Sequence, residues 1–325
     1  MMVPRRRVLT ALLLASGLLF LVALPSVAID TVRLQLGTLE GEGWSATAVT
    51  VQLNWLDEQH AGLVLQAQSV ALPEALGEVS AVTLSCVRAR YTATEVNCAK
   101  GTLKAQSSEL GQQTIQTAFR YQFDTGQIDI ELLGVRVFDG TLAIKATLSG
   151  THWQTTVRGK GLSMPDVTHQ LAAAGIAVPV VEGNGRLDVT ASMTGVASQL
   201  SKANIEMQLL AESLSDAEGS LAGENLDISL HATVKTIATG MQVALELSGR
   251  QGALYIDPIF VEMPSQPVQL SARFDWLSTQ QQMVLQSFSY RHPGSVQLEG
   301  SGHFDLAADA PIRELNLAIR QAEFP

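Results

Sequence analysis

Side chains able to move protons or hold metal are few in this 325-residue chain, and none is arranged for either task. The six histidines, His60, His152, His169, His231, His292 and His303, show no pairing at metal-ligand spacing. No H-E-x-x-H and no Cys–His cluster occurs. His169 sits in a helix-like stretch and reads as a solvent-facing residue. There is no G-x-S-x-G elbow, no Walker loop and no G-x-G-x-x-G. Gly183-Asn184-Gly185 is a turn signal without the strand–loop–helix order that a phosphate site needs. Asp188 and Asp227 fall on the polar side of alternating stretches, so they read as solvated strand residues rather than a carboxylate pair. Trp44, Trp55, Trp153 and Trp276 read as packing residues, with interfacial anchoring the other use for such side chains. This reading expects no catalytic residue, no metal site and no cofactor, and so not an enzyme.

What chemistry remains lies in the two cysteines of "VTLSCVRARYTATEVNCAKG". Cys86 shares parity with Val82 and Leu84, and Cys98 with Val96. If the segment folds back around Thr92, the two meet across a hairpin. A disulfide there closes a loop of about 13 residues and contributes on the order of 3 kcal/mol. The alternative is two buried thiols on one dry face. Compartment favours the disulfide, because the N-terminus reads as an export signal.

That N-terminus has Arg5, Arg6 and Arg7, then an uncharged apolar run from Val8 to Leu24. As a helix its roughly 17 residues span about 25 Å, close to the thickness of a bilayer core. The arginines hold their end in the cytoplasm, so the rest of the chain is exported. Ser26-Val27-Ala28 resembles a signal-peptidase site, and the length of the run suits a retained anchor, so both readings stand. Beyond Ala28 no apolar run approaches membrane-spanning length. Without Arg5–Arg7 the body carries 18 basic against 31 acidic residues, a net of −13. Such a body has no basic stripe for nucleic acid and no simple electrostatic attraction to anionic lipid.

The elements that would position these residues are mostly strands. Val49, Val51, Leu53 and Trp55 alternate with Thr50, Gln52 and Asn54. Phe119, Tyr121 and Phe123 share a parity, and Ile128, Ile130 and Leu132 follow the turn Asp124-Thr125-Gly126. Leu142, Ile144, Ala146 and Leu148 lie between Asp139-Gly140 and Gly150. Leu187, Val189, Ala191 and Met193 oppose Asp188, Thr190, Ser192 and Thr194. Similar rows start at Ile205, Leu226, Val243, Val268, Val296 and Leu315. About fifteen strands of about six to nine residues are expected, joined by short loops and therefore antiparallel neighbours. Gly300 and Gly302 at dry-face positions suggest a close backbone approach or a bend. Hydrophobic residues make 46% of the chain but aromatic ones only 5%, which suits a thin extended sheet better than a thick core.

One helix interrupts the strands. Ser163 can cap it with Asp166 three residues on, Val167 and Leu171 share a face, and Gly175 can end it. The expected organisation is a membrane or signal segment (1–28), a first β-meander (29–162), the short helix and linker (163–185) and a second β-meander (186–325).

This order resembles the AsmA-like envelope proteins of the TamB, YhdP and YdbH type. The features are an N-terminal membrane run, long β-meanders, and "GLSMPDVTHQL" leading into a helix followed by "GNGRLDVTASMTG". Gly185, Leu187 and Gly195 occupy places typical of the strand after that helix, and the paired cysteines near the N-terminus are similar to a YdbH-like relative. The resemblance implies a mostly β fold, an extended antiparallel meander curled into a hydrophobic groove. It also implies a retained N-terminal transmembrane helix in the bacterial inner membrane, with the body in the periplasm. The groove would carry phospholipid between inner and outer membranes or support envelope assembly. Its lining would be Val51 and Leu53, Ile128 and Ile130, Leu142 and Ile144, Leu187 and Val189, Leu245 and Leu247, and Leu270 and Phe274. Partners would be phospholipid acyl chains, the inner membrane, and a further β-groove segment or other envelope proteins. Two other classes remain open: an exported structural or adhesive β-scaffold with its apolar faces packed together, and an exported β-sandwich hydrolase.

Overall fold

The computed structural model describes residues 30–41, 44–71, 78–107, 110–173, 175–264, 266–307 and 311–322. The expected membrane or signal helix over Val8–Leu24 lies outside the described residues. Among them, no helix is long and apolar enough to cross a membrane.

Among the described residues, eighteen strands and one helix follow in order. The first nine strands are β1 (Thr31–Gly41), β2 (Trp44–Trp55), β3 (His60–Ala71), β4 (Glu78–Tyr91), β5 (Glu95–Ser107), β6 (Gly111–Gln122), β7 (Ile128–Val137), β8 (Gly140–Ser149) and β9 (His152–Ser163). The helix α1 (Met164–Ala173) comes next, then β10 (Val181–Val196), β11 (Gln199–Asp216), β12 (Leu221–Ile237), β13 (Gly240–Ile256) and β14 (Ile259–Glu262). The last four are β15 (Val268–Leu277), β16 (Gln282–His292), β17 (Val296–Asp305) and β18 (Ile312–Ala322). All form one antiparallel meander in chain order, as the short loops require. The short β14 steps aside: it pairs with the end of β13, while β15 pairs with the rest of that strand. Hydrogen bonding between β9 and β10 carries the sheet past the helix without a break.

Strands are more numerous and longer than alternation alone suggests, up to 18 residues in β11. Bulges account for this. Asn225 takes a left-handed φ of 49° where the β12–β13 register shifts, yet the strand continues on both sides. A bulge breaks the parity of the sequence without ending the strand. Turn chemistry also shifts one boundary. The β7–β8 hairpin turns on Phe138 and Asp139, both with positive φ, rather than on Asp139-Gly140. A two-residue turn of this hand matches the twist of the flanking strands.

The helix begins and ends as its sequence suggests. Asp166 N–H donates to Ser163 Oγ at 3.5 Å. At the other end, Gly175 takes φ 79°, its N–H bonds Ala172 O, and Ile176 N–H bonds Leu171 O. That is a Schellman closure, with glycine in the left-handed position.

The sheet does not fold into one compact core. Among the described residues, the buried side chains form four small clusters, two around β2–β6 and two beneath α1 on β7–β13. Leu34, Ile130, Leu148, Leu315, Leu317 and Ile319 stay exposed, as side chains on one sheet face do where no second layer covers them.

Candidate apolar face

Register fixes which side chains share a face, because residues opposite one another in a ladder point the same way. From β1 to β9, one row runs Val32, Leu53, Leu63, Cys86, Gly101, Thr117, Leu132, Ile144 and Val157. It continues from β10 to β18 as Ala191, Ile205, Ala232, Leu245, Ala272, Phe288, Gly300 and Leu317. Thr117 alone in this row is polar. At about 4.8 Å per strand, the row is a path of roughly 75 Å.

The adjacent row on the other face has different chemistry. It runs Arg33, Gln52, Val64, Ser85, Thr102, Gln116, Leu133 and Ala143, then Arg158, Thr190, Glu206, His231, Glu246, Ser271, Ser289, Glu299 and Ala318, polar but for Val64, Leu133, Ala143 and Ala318.

All the aliphatic and aromatic residues expected to line a groove belong to the dry face. Leu53, Ile144 and Leu245 stand in the long row itself. Val51 lies beside Leu53 on β2, and Ile128 and Ile130 share parity with Leu132 on β7. Leu142 and Val189 meet through Gly159, and Val189 leads through Met207 and Leu230 to Leu247 and Leu270. Leu187 and Phe274 share parity with Val189 and Leu270. Only Leu187 in this set is buried; Ile130 is exposed and the others are half-buried.

Two devices cover parts of this face. The first is the Cys86–Cys98 disulfide, with Cα atoms 6.1 Å apart. Cys86 lies opposite Gly101, and Cys98 lies opposite Phe119, past a register shift between Cys98 and Gly101. The bond therefore runs diagonally between β4 and β5. It packs with Leu63 and Ala89 against Val51, Leu53, Tyr91 and Phe119. The second is α1. Met164 and Val167 pack on Val137, Leu162 and Leu187, and Met164 also reaches the Val181, Ala211, Leu214 and Leu226 cluster.

Thr168, which sequence reading passed over, ties the helix down. It is buried, its hydroxyl donates to Pro165 O at 3.0 Å, and it accepts Val181 N–H at 3.2 Å. A threonine three residues after a proline in a helical stretch is the signal that could have found it.

The glycines of the strand after the helix have a steric role. A Cβ on Gly185 would sit 2.9 Å from Met164 Cβ, and one on Gly195 would sit 2.3 Å from the Trp153 ring. Trp153 also donates from Nε1 to Ala197 O at 2.9 Å, which holds the indole over Gly195. Gly300 is likewise a close approach, since a Cβ there would meet Leu317 Cδ2 at 2.7 Å.

The polar groups lie scattered. His60 Nδ1 is 2.8 Å from Asp57 Oδ1, with Arg88 beside the same carboxylate, on an exposed turn. The Gln59 backbone N–H and then His60 hold the Asp57 carboxyl below its usual range. Asp216 is lowered by the Ser220 hydroxyl and the Leu221 N–H, and Asp305 by Arg313. Burial pushes the Tyr91 and Tyr290 phenols up. Asp188 accepts Gly161 N–H at 2.7 Å and Asp227 accepts from Gln208 at 3.3 Å, so each carboxylate serves a neighbouring strand. His231 stands 3.9 Å from Glu206, His292 beside the Tyr290 hydroxyl and His303 beside Gln282. Among the described residues, no three His, Cys, Asp or Glu side chains gather as a metal site would need. A hollow of about 720 Å³ is lined by wet-face residues such as Glu206, His231, Glu246 and Arg291 and also by Leu247 and Leu270.

No family model, no curated protein and no solved structure matches this chain. The disulfide marks an exported protein of an oxidising compartment.

Proposed function

We propose that the chain is a membrane-tethered periplasmic protein whose apolar sheet face carries phospholipid acyl chains, in lipid transfer between envelope membranes or in envelope assembly. The observation that carries this reading is the row from Val32 to Leu317, apolar but for one threonine and largely without a covering layer. Transferring a methylene from water to such a surface gains roughly 0.8 kcal/mol, so acyl-chain binding needs no charged contact. The net gain between two membranes is zero, and the sheet's role is to lower the barrier of the aqueous gap. The AsmA-like resemblance points the same way, and implies the groove and the inner-membrane anchor.

The test is lipid mass spectrometry on the purified full chain and on Ile144→Asp with Val189→Asp. Wild type should carry phospholipid. The dry-face variant should lose it, because an unpaired carboxylate against hydrocarbon costs several kcal/mol. Thr190→Asp, on the wet face, should retain it. Folded dry-face variants that carry lipid as well as Thr190→Asp would overturn the reading.

A second reading, an exported structural β-scaffold, draws on one feature. The 720 Å³ hollow is lined mainly by wet-face residues, with Met207, Leu230, Leu247 and Leu270 of an apolar row beside them. Under that reading neither wild type nor variants hold stoichiometric lipid.

A further inference from the structure

The buried clusters fall into two groups. Among the described residues, Val51 packs against both clusters of β2–β6, and Met164 packs against both clusters beneath α1. Phe119 of β6 packs with the first group and Val137 of β7 with the second, and no cluster spans these two neighbouring strands.

Backbone pairing is short at the same place. β6 and β7 pair from Gln116 opposite Leu133 to Tyr121 opposite Ile128, although β6 reaches back to Gly111 and β7 runs on to Val137. Gly134, with φ 79°, sits where the β7–β8 register shifts, and a bulge there bends β7. Beyond it a side chain takes the place of a ladder. The Gln113 amide accepts Arg136 N–H at 3.1 Å and donates to Arg136 O at 3.1 Å and to Leu110 O at 2.7 Å. Arg136 Nη2 donates to Gln112 O at 3.3 Å. A side-chain amide offers the donor and acceptor of a peptide group, so it satisfies Arg136 while the two backbones stand apart. The β4–β5 ladder is interrupted too, between Ser80 and Thr83, but the disulfide ties those strands and β6–β7 has no such tie.

Polarity marks the seam as well. Ser107, Gln113 and Thr117 are buried polar side chains, and all three belong to β5 and β6. Thr117 is also the polar residue of the long row. Apolar packing, which ties neighbouring strands into one cooperative body, is thus thinnest where the ladder is short.

We propose that the β6–β7 seam is a hinge. The described residues of 31–122 and of 128–322 form two stiff bodies that change their angle about the ladder from Gln116 to Tyr121, and the Gln113 amide is the latch that limits opening. Hinge motion of this kind is absorbed by a few residues between packed bodies. Opening bends the long apolar row between Thr117 and Leu132. The inference rests on ladder and packing and stands apart from the lipid reading, since a scaffold would bend at the same place.

Distance distributions between paired spin labels, measured by pulsed electron spin resonance on the full chain in detergent micelles, test the hinge. Both native cysteines are in the disulfide, so introduced cysteines alone take the label. Three wet-face pairs each span four strand spacings, about 19 Å. Gln35→Cys with Lys104→Cys lies within the first body, Lys145→Cys with His231→Cys within the second, and Lys104→Cys with Arg158→Cys across the seam. The pair across the seam should give a distribution roughly twice as wide as the other two, or wider. Adding Gln113→Ala should widen it further, leave the other two unchanged, and speed amide exchange at Arg136 roughly tenfold, the factor expected for one lost hydrogen bond. Circular dichroism checks that each variant is folded. A distribution across the seam as narrow as those within the bodies, with Gln113 in place, would overturn the hinge whatever the variant does. Folded Gln113→Ala that widens all three pairs alike, or none, would overturn the latch.

Discussion

The stretch β3–β6 and the stretch β15–β18 are built on the same alternation and belong to the same sheet, yet they differ in packing. In the first, Ala61, Ala89 and Cys98 are fully buried and Cys86 is 1% exposed. In the second, Leu315, Leu317 and Ile319 stand open to solvent, and Val268 alone is buried among the described residues of its four strands. Between them, β9–β13 are sealed in part by α1. Burial along this sheet thus follows cover, not hydrophobicity: small residues beneath a disulfide are dry, and large aliphatics with nothing above them are not.

The largest effect that could break this comparison is removal of the disulfide. Cys86→Ala with Cys98→Ala should cost about 3 kcal/mol, since the bond closes a short loop of the unfolded chain. Urea unfolding checks it, and hydrogen exchange should show the lost protection concentrated in β3–β6. Next comes Leu187→Ala beneath α1, at about 2–3 kcal/mol, against Leu317→Ala at the bare edge, at less than about 1 kcal/mol. Equal costs at the two sites would mean that the edge is covered as well as the helix-capped stretch.

Smaller again is Thr168→Val, which leaves Val181 N–H without its acceptor in a buried setting. A loss of about 1–2 kcal/mol is expected, with exchange rising first at the start of β10. The smallest effect is pH-dependent. The Asp216 carboxyl titrates below its unfolded value, so its stabilisation is present above that value and fades as pH falls through the depressed folded one. Ser220→Ala removes the first cause of the shift. It should therefore lower stability slightly at neutral pH and flatten the acid-side loss around the β11–β12 turn, so that variant and wild type converge at low pH.

Much of this architecture is legible in the residues. Leu187, Val189, Ala191 and Met193 specify one face of β10, because strand side chains alternate strictly and short loops leave only antiparallel neighbours. The cysteine parity leads to the Cys86–Cys98 bond. Ser163 and Gly175 mark both ends of α1, because capping is a local affair of a few backbone groups. The bulges are less legible. Asn225 does not look like a break within β12, since its left-handed φ is imposed by the shift in pairing with β13.

Tertiary structure alone decides what lies opposite what. That Val32 and Leu317 end one row depends on the register of every intervening strand, and a one-residue slip anywhere would turn the rest of the row to the wet face. It also decides what covers the rows. Gly185 and Gly195 read only as small residues in a strand until Met164 and the Trp153 ring are placed above them. Thr168 reads as a polar helix residue until Val181 arrives beneath it. Alternation is written within each strand, because it follows from backbone geometry. Register and cover depend on contacts between residues far apart in the chain, and no local stretch contains them.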